Sequence, residues 1–192
     1  MTRMSLADRR EKLLDAALEV VARTGVASAT TRAIAAQAGM PPASFHYAFD
    51  SHQALMIEAI ERLQSLELAA CEGLEVAGGS RQAIARSLMD SVLADIVART
   101  NQHWSRLELL DHAMRTEGMQ ELAPRWRRAR LDCLGRKVAA AAEGVEGLQG
   151  EDLAQFTTAL VVMADGLLQD YLVHRDEQLS RRAMDVWLAL LG

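Results

Sequence analysis

The segment AAQAGMPPASFHYAF, residues 35–49, constrains the fold of this chain more than any other. A run of helix-favouring residues stops at Gly39, Pro41 and Pro42 follow, and an apolar pattern restarts for barely two turns. Pro41 pushes the preceding residue out of the helical region, whereas Pro42 suits the first turn of a new helix, where no N–H bond is lost. A helix of two turns is marginal alone, because nucleation costs more than a few added bonds return. We therefore expect a short helix that its neighbours hold in place.

On a helical wheel this short helix has an apolar side and a polar side. Phe45 and Phe49 are four residues apart, which predicts that they pin the helix to the two preceding helices. The opposite side carries small and hydrogen-bonding residues: Ala43, Ser44, His46 and Tyr47. A helix, a glycine turn and a second short helix with an unburied outer face form a helix-turn-helix, whose second helix enters the DNA major groove. From periodicity alone, an ordinary helical hairpin with a solvated polar face is an equal alternative.

Helix-favouring residues continue through the rest of the chain. Ala, Leu, Glu, Arg and Met dominate, only 3 residues are Pro, and no alternating strand pattern is present. Caps, glycines and prolines predict helices at Ser5 to Gly25, Thr30 or Thr31 to Gly39, Pro42 to Phe49, Asp50 to about Ala77, and then 81–99, 102–116, 122–143, 151–175 and 177–191. The sequence therefore predicts an all-α fold.

Composition and charge restrict the class of protein. Half of the 192 residues are hydrophobic, enough for a sizeable core. The net charge is -5, but the first 50 residues carry six basic and five acidic side chains, so the acidity lies in the C-terminal part. The N-terminal part is near neutral rather than strongly basic. No apolar run approaches the roughly 20 residues of a membrane span, and the N-terminus lacks the apolar core of a signal peptide, so we expect a cytoplasmic protein with no membrane partner.

Motifs for catalysis and metal binding are not found in the sequence. There is no G-x-S-x-G, no Gly-rich phosphate loop, no H-E-x-x-H and no nucleophile with a paired base, so we predict no enzyme and no cofactor. Glu108 and His112 are four residues apart, but a third ligand is not visible and no metal site is predicted. Cys71 and Cys133 lack CxxC spacing and are interpreted as small buried residues in a reducing compartment, with a redox sensor as the alternative.

The ordered pattern over residues 9–63 resembles the DNA-binding signature of the TetR family of one-component transcriptional regulators. TTRAIAAQAGMPPASFHYAFDSHQALM carries it, with a Thr before R-A-I-A, then A-G, a small-Ser-aromatic step, Y-x-F and S-x-x-x-L. The resemblance implies a repressor that binds a palindromic operator as a homodimer and is released by a small, largely apolar effector. It also implies two domains joined by a long helix: a three-helix DNA-binding head at 1–52 and a dimerisation and effector-binding body at 53–192. The region typical of the family's DNA-binding domain covers about 9–69, and the helix-turn-helix within it covers about 30–49.

The resemblance places DNA contacts on three helices. They are Thr30, Thr31 and Arg32 at the start of the second helix, Pro42, Ala43, Ser44, His46 and Tyr47 in the recognition helix, and His52 at the start of the fourth. The family commonly has a phosphate-binding Lys at position 52, a Lys or polar residue at position 42, and a Tyr at position 46. The small residues near the start of the recognition helix allow close approach to base edges, and the polar ones supply hydrogen bonds.

By the same resemblance, the C-terminal part is predicted to dimerise and to bind the effector. Apolar stripes on the last two helices predict an interface of Phe156, Leu160, Met163, Gly166, Leu167, Ala183, Val186, Trp187 and Leu190, the alternative being a core within one chain. An apolar cavity with a few polar groups is predicted from Met89, Val92, Ile96, Trp104, Leu107, Glu108, His112, Trp126, Met163 and Tyr171, with plain core as the alternative for most of them.

Two other functions stay open beside the regulator. One is a helical ligand-binding or adaptor protein that kept the fold of the head but lost DNA affinity, and the other is a small helical enzyme. For the regulator, the fourth helix is predicted to be a rigid rod of about 25 residues. Effector and operator binding would oppose each other through the tilt of this rod.

Overall fold

The computed structural model describes residues 4–191 of the chain, so the predicted limits at residues 1 and 192 lie outside the described residues. Within this range the backbone forms nine α-helices and a 3-10 turn, and none of these residues forms a strand. The helices are α1 (Leu6–Thr24), α2 (Thr31–Gln37), α3 (Ala43–Ala48), α4 (His52–Glu72), α5 (Arg81–Ala98), α6 (Thr100–Arg115), α7 (Leu122–Ala141), α8 (Gly150–His174) and α9 (Glu177–Ala189), and the 3-10 turn is Val26–Ser28. The predicted all-α fold is confirmed.

Side-chain caps set where the first helices begin. The hydroxyls of Ser5 and Thr30 each accept a bond from the backbone N–H three residues later, at 3.0 and 3.2 Å, as predicted for N-caps. At α4 the cap is Ser51, whose hydroxyl accepts a bond from the N–H of Ala54 at 3.0 Å, and the predicted cap at Asp50 is wrong. Ser51 directly precedes the first helical residue, whereas Asp50 lies one residue earlier.

The fourth helix is shorter than predicted. α4 ends at Glu72, and the N–H of Gly73 closes the last turn with bonds to the carbonyls of Ala69 (3.3 Å) and Ala70 (3.1 Å). Glycine is about 1 kcal/mol less favourable than alanine inside a helix, so the helix stops at the first glycine instead of near Ala77. Its 21 residues span about 31 Å at roughly 1.5 Å per residue.

The described chain divides into two compact units. The first unit comprises the residues up to Ser65 together with Asn101–Arg125, and the second comprises Leu66–Thr100 and the residues from Trp126 onward. α4 begins in the first unit and ends in the second. The division therefore does not fall at the predicted boundary after residue 52, because the first unit includes most of α4 and nearly all of α6.

The first unit has a core of aliphatic and aromatic side chains from α1 to α4. Its fully buried members include Leu13, Ala17, Val21, Ile34, Ala35, Phe45, Leu55, Met56 and Ala59. α6 is attached by polar contacts, since the hydroxyl of Ser105 donates to the carbonyl of Leu18 at 3.2 Å and the carboxylate of Glu108 accepts from the N–H of Val26 at 3.3 Å. These two bonds fix α6 to the second half of α1 and to the 3-10 turn.

The second unit packs α5 against α8 and α9. Its buried residues include Ile84, Leu88, Met89, Leu93, Ile96, Trp126, Val138, Leu160, Val161, Leu168, Met184 and Leu188. Among residues 4–191, α8 is the one helix that is long and apolar enough by composition to cross a membrane. Of its most apolar 18-residue stretch, 44% is buried inside the protein, and core helices of soluble proteins can be equally long and apolar.

Cys71 and Cys133 form a disulfide bond in the second unit. Cys71 lies in the last turn of α4, Cys133 lies in α7, and their Cα atoms are 6.5 Å apart. The interpretation of two separate buried thiols is therefore wrong. The two residues are separated by 62 positions, so no local spacing motif reports the pairing, which depends on how α4 and α7 pack.

Candidate nucleic-acid interface

Aromatic side chains hold α3 within the first unit. Phe45 is 0% exposed and Phe49 is 2% exposed, and the centroids of their rings lie 5.7 Å apart. Ala48, in the last position of α3, is also buried. The predicted apolar anchor is confirmed, and it leaves the opposite side of this six-residue helix free to face outward.

A glycine turn orients α3 relative to α2. Gly39 has a φ of 66°, in the left-handed region that glycine adopts without steric penalty. Its N–H donates to the carbonyl of Ala36 at 3.1 Å, and the N–H of Met40 donates to the carbonyl of Ala35 at 2.9 Å. This pair of bonds is a Schellman motif, which satisfies the last carbonyls of α2. The chain then reverses into Pro42, at the N-cap of α3.

The predicted DNA contacts on α2 and α3 fall into two groups by exposure. The exposed residues are Thr30, Arg32, Pro42, Ala43, His46 and Tyr47, and the half-buried ones are Thr31 and Ser44. Tyr47 is 73% exposed, so most of its side chain is accessible to a partner. The Thr30 hydroxyl accepts the capping bond of α2, so it can still donate its own proton to a phosphate oxygen. Small side chains therefore lie at the start of α3 and large polar ones near its end.

His52 is different from the other predicted contacts. Its Nε2 lies 2.6 Å from the carbonyl oxygen of Ala29, and the residue is half-buried. The ring nitrogen must carry a hydrogen to bond a carbonyl, so this bond joins the start of α4 to the segment that leads into α2. That nitrogen is therefore engaged inside the first unit, and only the other ring nitrogen, Nδ1, is left for a phosphate contact, which stays a prediction at His52.

Two consecutive arginines of α1 lie beside α3 and were missed by the sequence analysis. The guanidinium carbon of Arg9 lies 5.9 Å from the centroid of the Tyr47 ring. The guanidinium carbon of Arg10 lies 4.5 Å from the centroid of the Phe49 ring. On a helical wheel both are ordinary charges on the polar side of α1, so no sequence signal separates them from other surface arginines. Arg9 supplies positive charge next to the outer face of α3.

The residues predicted for an effector pocket belong to both units. Trp104, Leu107, Glu108 and His112 lie on α6 in the first unit. The carboxylate of Glu108 is engaged by the N–H of Val26, so this side chain serves the 3-10 turn. Within residues 4–191, no group of three His, Cys, Asp or Glu side chains is arranged to hold a metal ion.

The other predicted pocket residues lie in the second unit and differ in burial. Met89, Ile96 and Trp126 are about 1% exposed and belong to the core. Val92, Met163 and Tyr171 are half-buried on α5 and α8, which pack against each other. A surface cavity of about 370 Å³ lies between α7 and α8, and none of the predicted residues lines it. Its lining residues are Leu131, Asp132, Gly135, Gly150, Leu153, Ala154, Thr157 and Thr158.

Trp126 belongs to a charged cluster inside the second unit. Its indole N–H donates to the carboxylate of Glu67, which also pairs with Nε of Arg130 at 3.0 Å. Arg130 reaches Asp165 at 2.7 Å, and Arg127 reaches the other oxygen of Asp165 at 3.0 Å. Burial opposes the charge of Arg130, but the two carboxylates outweigh it, so the pKa of Arg130 lies above its usual value. The cluster therefore ties the end of α4 to α7 and α8 with charges that balance.

The residues of the predicted dimer interface also differ in burial. Phe156, Leu160 and Leu167 are buried within the protomer, so their side chains are not available to a partner, and Met163 is half-buried. α8 carries apolar residues on two sides, and the predicted stripe is the one that faces its own core.

The exposed apolar residues on α8 and α9 form a different surface. Its members are Ala159, Val162 and Gly166 on one side of α8, Ala183, Val186 and Trp187 on one side of α9, and Leu190 just after α9; the exposed Ala154, Val173 and Ala189 are not counted in it. Leu190 is 80% exposed. A Cβ atom at Gly166 would lie 3.1 Å from Cη2 of Trp187, so the absence of a side chain lets the indole rest on α8. We call this surface the α8–α9 face.

Comparison with known proteins agrees with this geometry. The family model of bacterial regulatory proteins, tetR family, matches residues 13–59. The chain is 30% identical over 198 residues to the HTH-type nicotine-responsive transcriptional repressor HdnoR of Paenarthrobacter nicotinovorans, and the match covers 99% of both proteins. A transcriptional regulator from Rhodococcus sp. Rha1 superposes with a TM-score of 0.73 at 19% identity, over 95% of each chain.

FadR from Bacillus subtilis, solved in complex with stearoyl-CoA, has the same fold. It superposes with a TM-score of 0.69 at 14% identity, over 93% of this chain and 97% of that chain. At such low identity the likeness concerns the fold alone.

Proposed function

Because this chain belongs to the TetR family of bacterial regulatory proteins and is a transcriptional regulator, we propose that it represses transcription by binding a palindromic operator as a homodimer. The observation that carries the proposal is the outer face of α3, where Tyr47 is exposed on a short helix anchored by Phe45. Members of the family are soluble DNA-binding proteins, and a protein that binds chromosomal DNA in a bacterium works in the cytoplasm.

In the proposed complex α3 enters the major groove. The small side chains of Pro42, Ala43 and Ser44 let the start of α3 approach base edges, and His46 and Tyr47 donate or accept hydrogen bonds near its end. The start of α2 lies against the backbone, with Thr30, Thr31 and Arg32 directed to phosphate oxygens, which fix the register of the protein without reading sequence. Arg9 adds a cation beside Tyr47 for the same purpose.

The homodimer is proposed to form through the α8–α9 face. Contiguous exposed apolar surface is uncommon on a monomeric soluble protein and often marks an interface. Paired with the same face of a second copy, these two helices would form a four-helix bundle in which the same patch serves both subunits. Val162, Val186, Trp187 and Leu190 are the large side chains that such an interface would bury.

A small, largely apolar effector is proposed to release the protein from DNA. The relative HdnoR is nicotine-responsive, which supports a small heteroaromatic amine as the first compound to test. The proposed site is in the second unit, near the half-buried Val92, Met163 and Tyr171. An effector lowers DNA affinity only if it binds one conformation better than the other. α4 begins in the first unit and ends in the second, and α7 also has residues in both units. We propose α4 as the coupling element because it follows α3 directly in the chain. Thermal shift with nicotine, and with an aliphatic amine of similar size as control for the heteroaromatic ring, tests this step.

Fluorescence anisotropy with DNA from upstream of the protein's own gene tests the proposed function. Tyr47→Ala should weaken binding by about 1–3 kcal/mol because a groove contact is lost. Tyr47→Phe separates the two parts of this contact, since it keeps the ring and removes only the hydroxyl that makes the proposed hydrogen bond. An unchanged affinity of Tyr47→Ala would remove α3 from the reading surface. A wild-type protein that binds nicotine but no DNA would favour the adaptor protein instead.

A further inference from the structure

One side chain of α1 holds the C-terminal end of α3. Arg10 donates from one guanidinium nitrogen to the carbonyl oxygen of Ala48, the last residue of α3, and from the other to the carboxylate of Glu58 on α4. Its guanidinium also stacks near the ring of Phe49. We propose that Arg10 is a positioning residue for DNA recognition, which fixes the direction of α3 without touching DNA. The proposal rests on the function proposed above for α3.

α3 cannot hold its direction alone. It has six residues, and Pro42 at its N-cap makes no side-chain capping bond. The last carbonyls of a helix have no partner inside the helix, and a cation placed there interacts favourably with the helix dipole. Arg10 meets both needs at the end of α3 that is remote from Ala43, where the helix is proposed to approach base edges. Loss of the contacts at the C-terminal end of α3 would therefore change the position of its N-terminal end in the proposed complex with DNA.

Arginine suits this position better than any other cation. The guanidinium is a planar fork with several donors in fixed directions, and its face can stack on an aromatic ring. Lysine has a single charged centre, so it cannot bond the Ala48 carbonyl, bond the Glu58 carboxylate and cover the Phe49 ring together. These three groups belong to α3, to α4 and to the segment that joins them, so the fork links α3 to both neighbouring helices.

The adjacent Arg9 provides an internal contrast. Successive residues on a helix differ in direction by about 100°, and Arg9 accordingly lies beside the exposed Tyr47 while Arg10 lies over the buried Phe49. A cation that contacts phosphate releases counterions from DNA, so its loss lowers the dependence of affinity on salt. A cation that only positions a helix changes affinity without changing that dependence. The two arginines should therefore differ in a salt titration.

The experiment measures operator affinity over a series of salt concentrations for full-length Arg10→Met, Arg10→Lys and Glu58→Gln. Lys12→Met is the control, because it removes one exposed cation that lies two residues after Arg10 on α1. Arg10→Met should bind about tenfold or more weakly, the factor expected for one charge-assisted hydrogen bond, with an unchanged salt slope. Arg10→Lys should not restore affinity, and Glu58→Gln should weaken binding in the same direction. Lys12→Met should stay within about twofold of the wild type.

Hydrogen exchange on the same proteins separates positioning from folding. The amide of Phe49, which bonds the carbonyl of Phe45 at 2.9 Å, should lose protection in Arg10→Met while amides of α1 and α4 keep theirs. Wild-type affinity in both Arg10→Met and Glu58→Gln would overturn the proposal. So would a salt slope reduced by about one, which would make Arg10 a phosphate contact, or a loss of protection throughout the first unit. A wild-type protein that binds no operator would instead overturn the proposed function, whatever the exchange of Phe49 shows.

Discussion

The disulfide bond between Cys71 and Cys133 should stabilise the second unit strongly. Replacing both cysteines with alanine removes a link that closes 62 residues of chain. In the chain-entropy description, closing a loop of that length removes about 14 cal/mol/K from the unfolded chain, or roughly 4 kcal/mol at 25 °C. Both cysteines lie in the second unit, so the free energy of unfolding of that unit should carry the effect.

Chemical denaturation with and without a reductant measures this contribution. Trp126 and Trp187 report on the second unit by fluorescence, and the exposed Trp104 belongs to the first. Reductant should lower the stability of the wild type to that of the double alanine variant and should leave the variant unchanged. Two titratable thiols in the folded, unreduced protein would refute the pairing. An oxidised wild type that unfolds at the same denaturant concentration as the variant would refute the entropic argument.

Three further changes test the fold, the interface and the coupling. Phe45→Ala should lower the free energy of unfolding of the first unit by about 3–5 kcal/mol, because the ring is fully buried; an unchanged melting temperature would contradict the anchor. Leu190→Glu should give monomers in sedimentation with little loss of stability, because this side chain is exposed. Leu160→Ala should lower stability and leave the protein dimeric, because this side chain is buried within the protomer. The reverse pattern would show that the dimer forms through the side of α8 that carries Leu160. A Gly-Gly insertion after Leu66 in α4 should preserve operator and effector binding but abolish effector-driven release, and release at full strength would show that α4 is not the coupling element.

Helix boundaries could be predicted from the sequence where they depend on interactions between residues only a few positions apart. The caps at Ser5 and Thr30 and the stop at Gly39 follow from one side chain or one glycine meeting backbone groups of the same turn. The end of α4 was misplaced because two glycine positions could end the helix, at residue 73 and at residues 78–79, and the earlier one did. Local chemistry thus determines most of the element order of this chain.

Contacts between distant segments were not predictable in the same way. The cysteine pair depends on α4 meeting α7, and the stripe of Leu160 proved to face its own core because an apolar pattern does not specify what covers it. His52 matched a phosphate-contact position, but its ring bonds a backbone carbonyl that lies 23 residues earlier in the chain. The contacts of Arg10 were the least predictable, since only the packing of α1, α3 and α4 distinguishes this side chain from an ordinary solvated charge.

Footprinting of the wild-type protein on DNA upstream of its own gene tests the central claim most directly. A homodimer that presents two copies of α3 should protect an inverted repeat whose half-sites are separated by about one helical turn, or a multiple of it. Tyr47→Ala at the same concentration should lose that protection. The account is contradicted if the wild type protects no site at low salt, or protects a single half-site without symmetry.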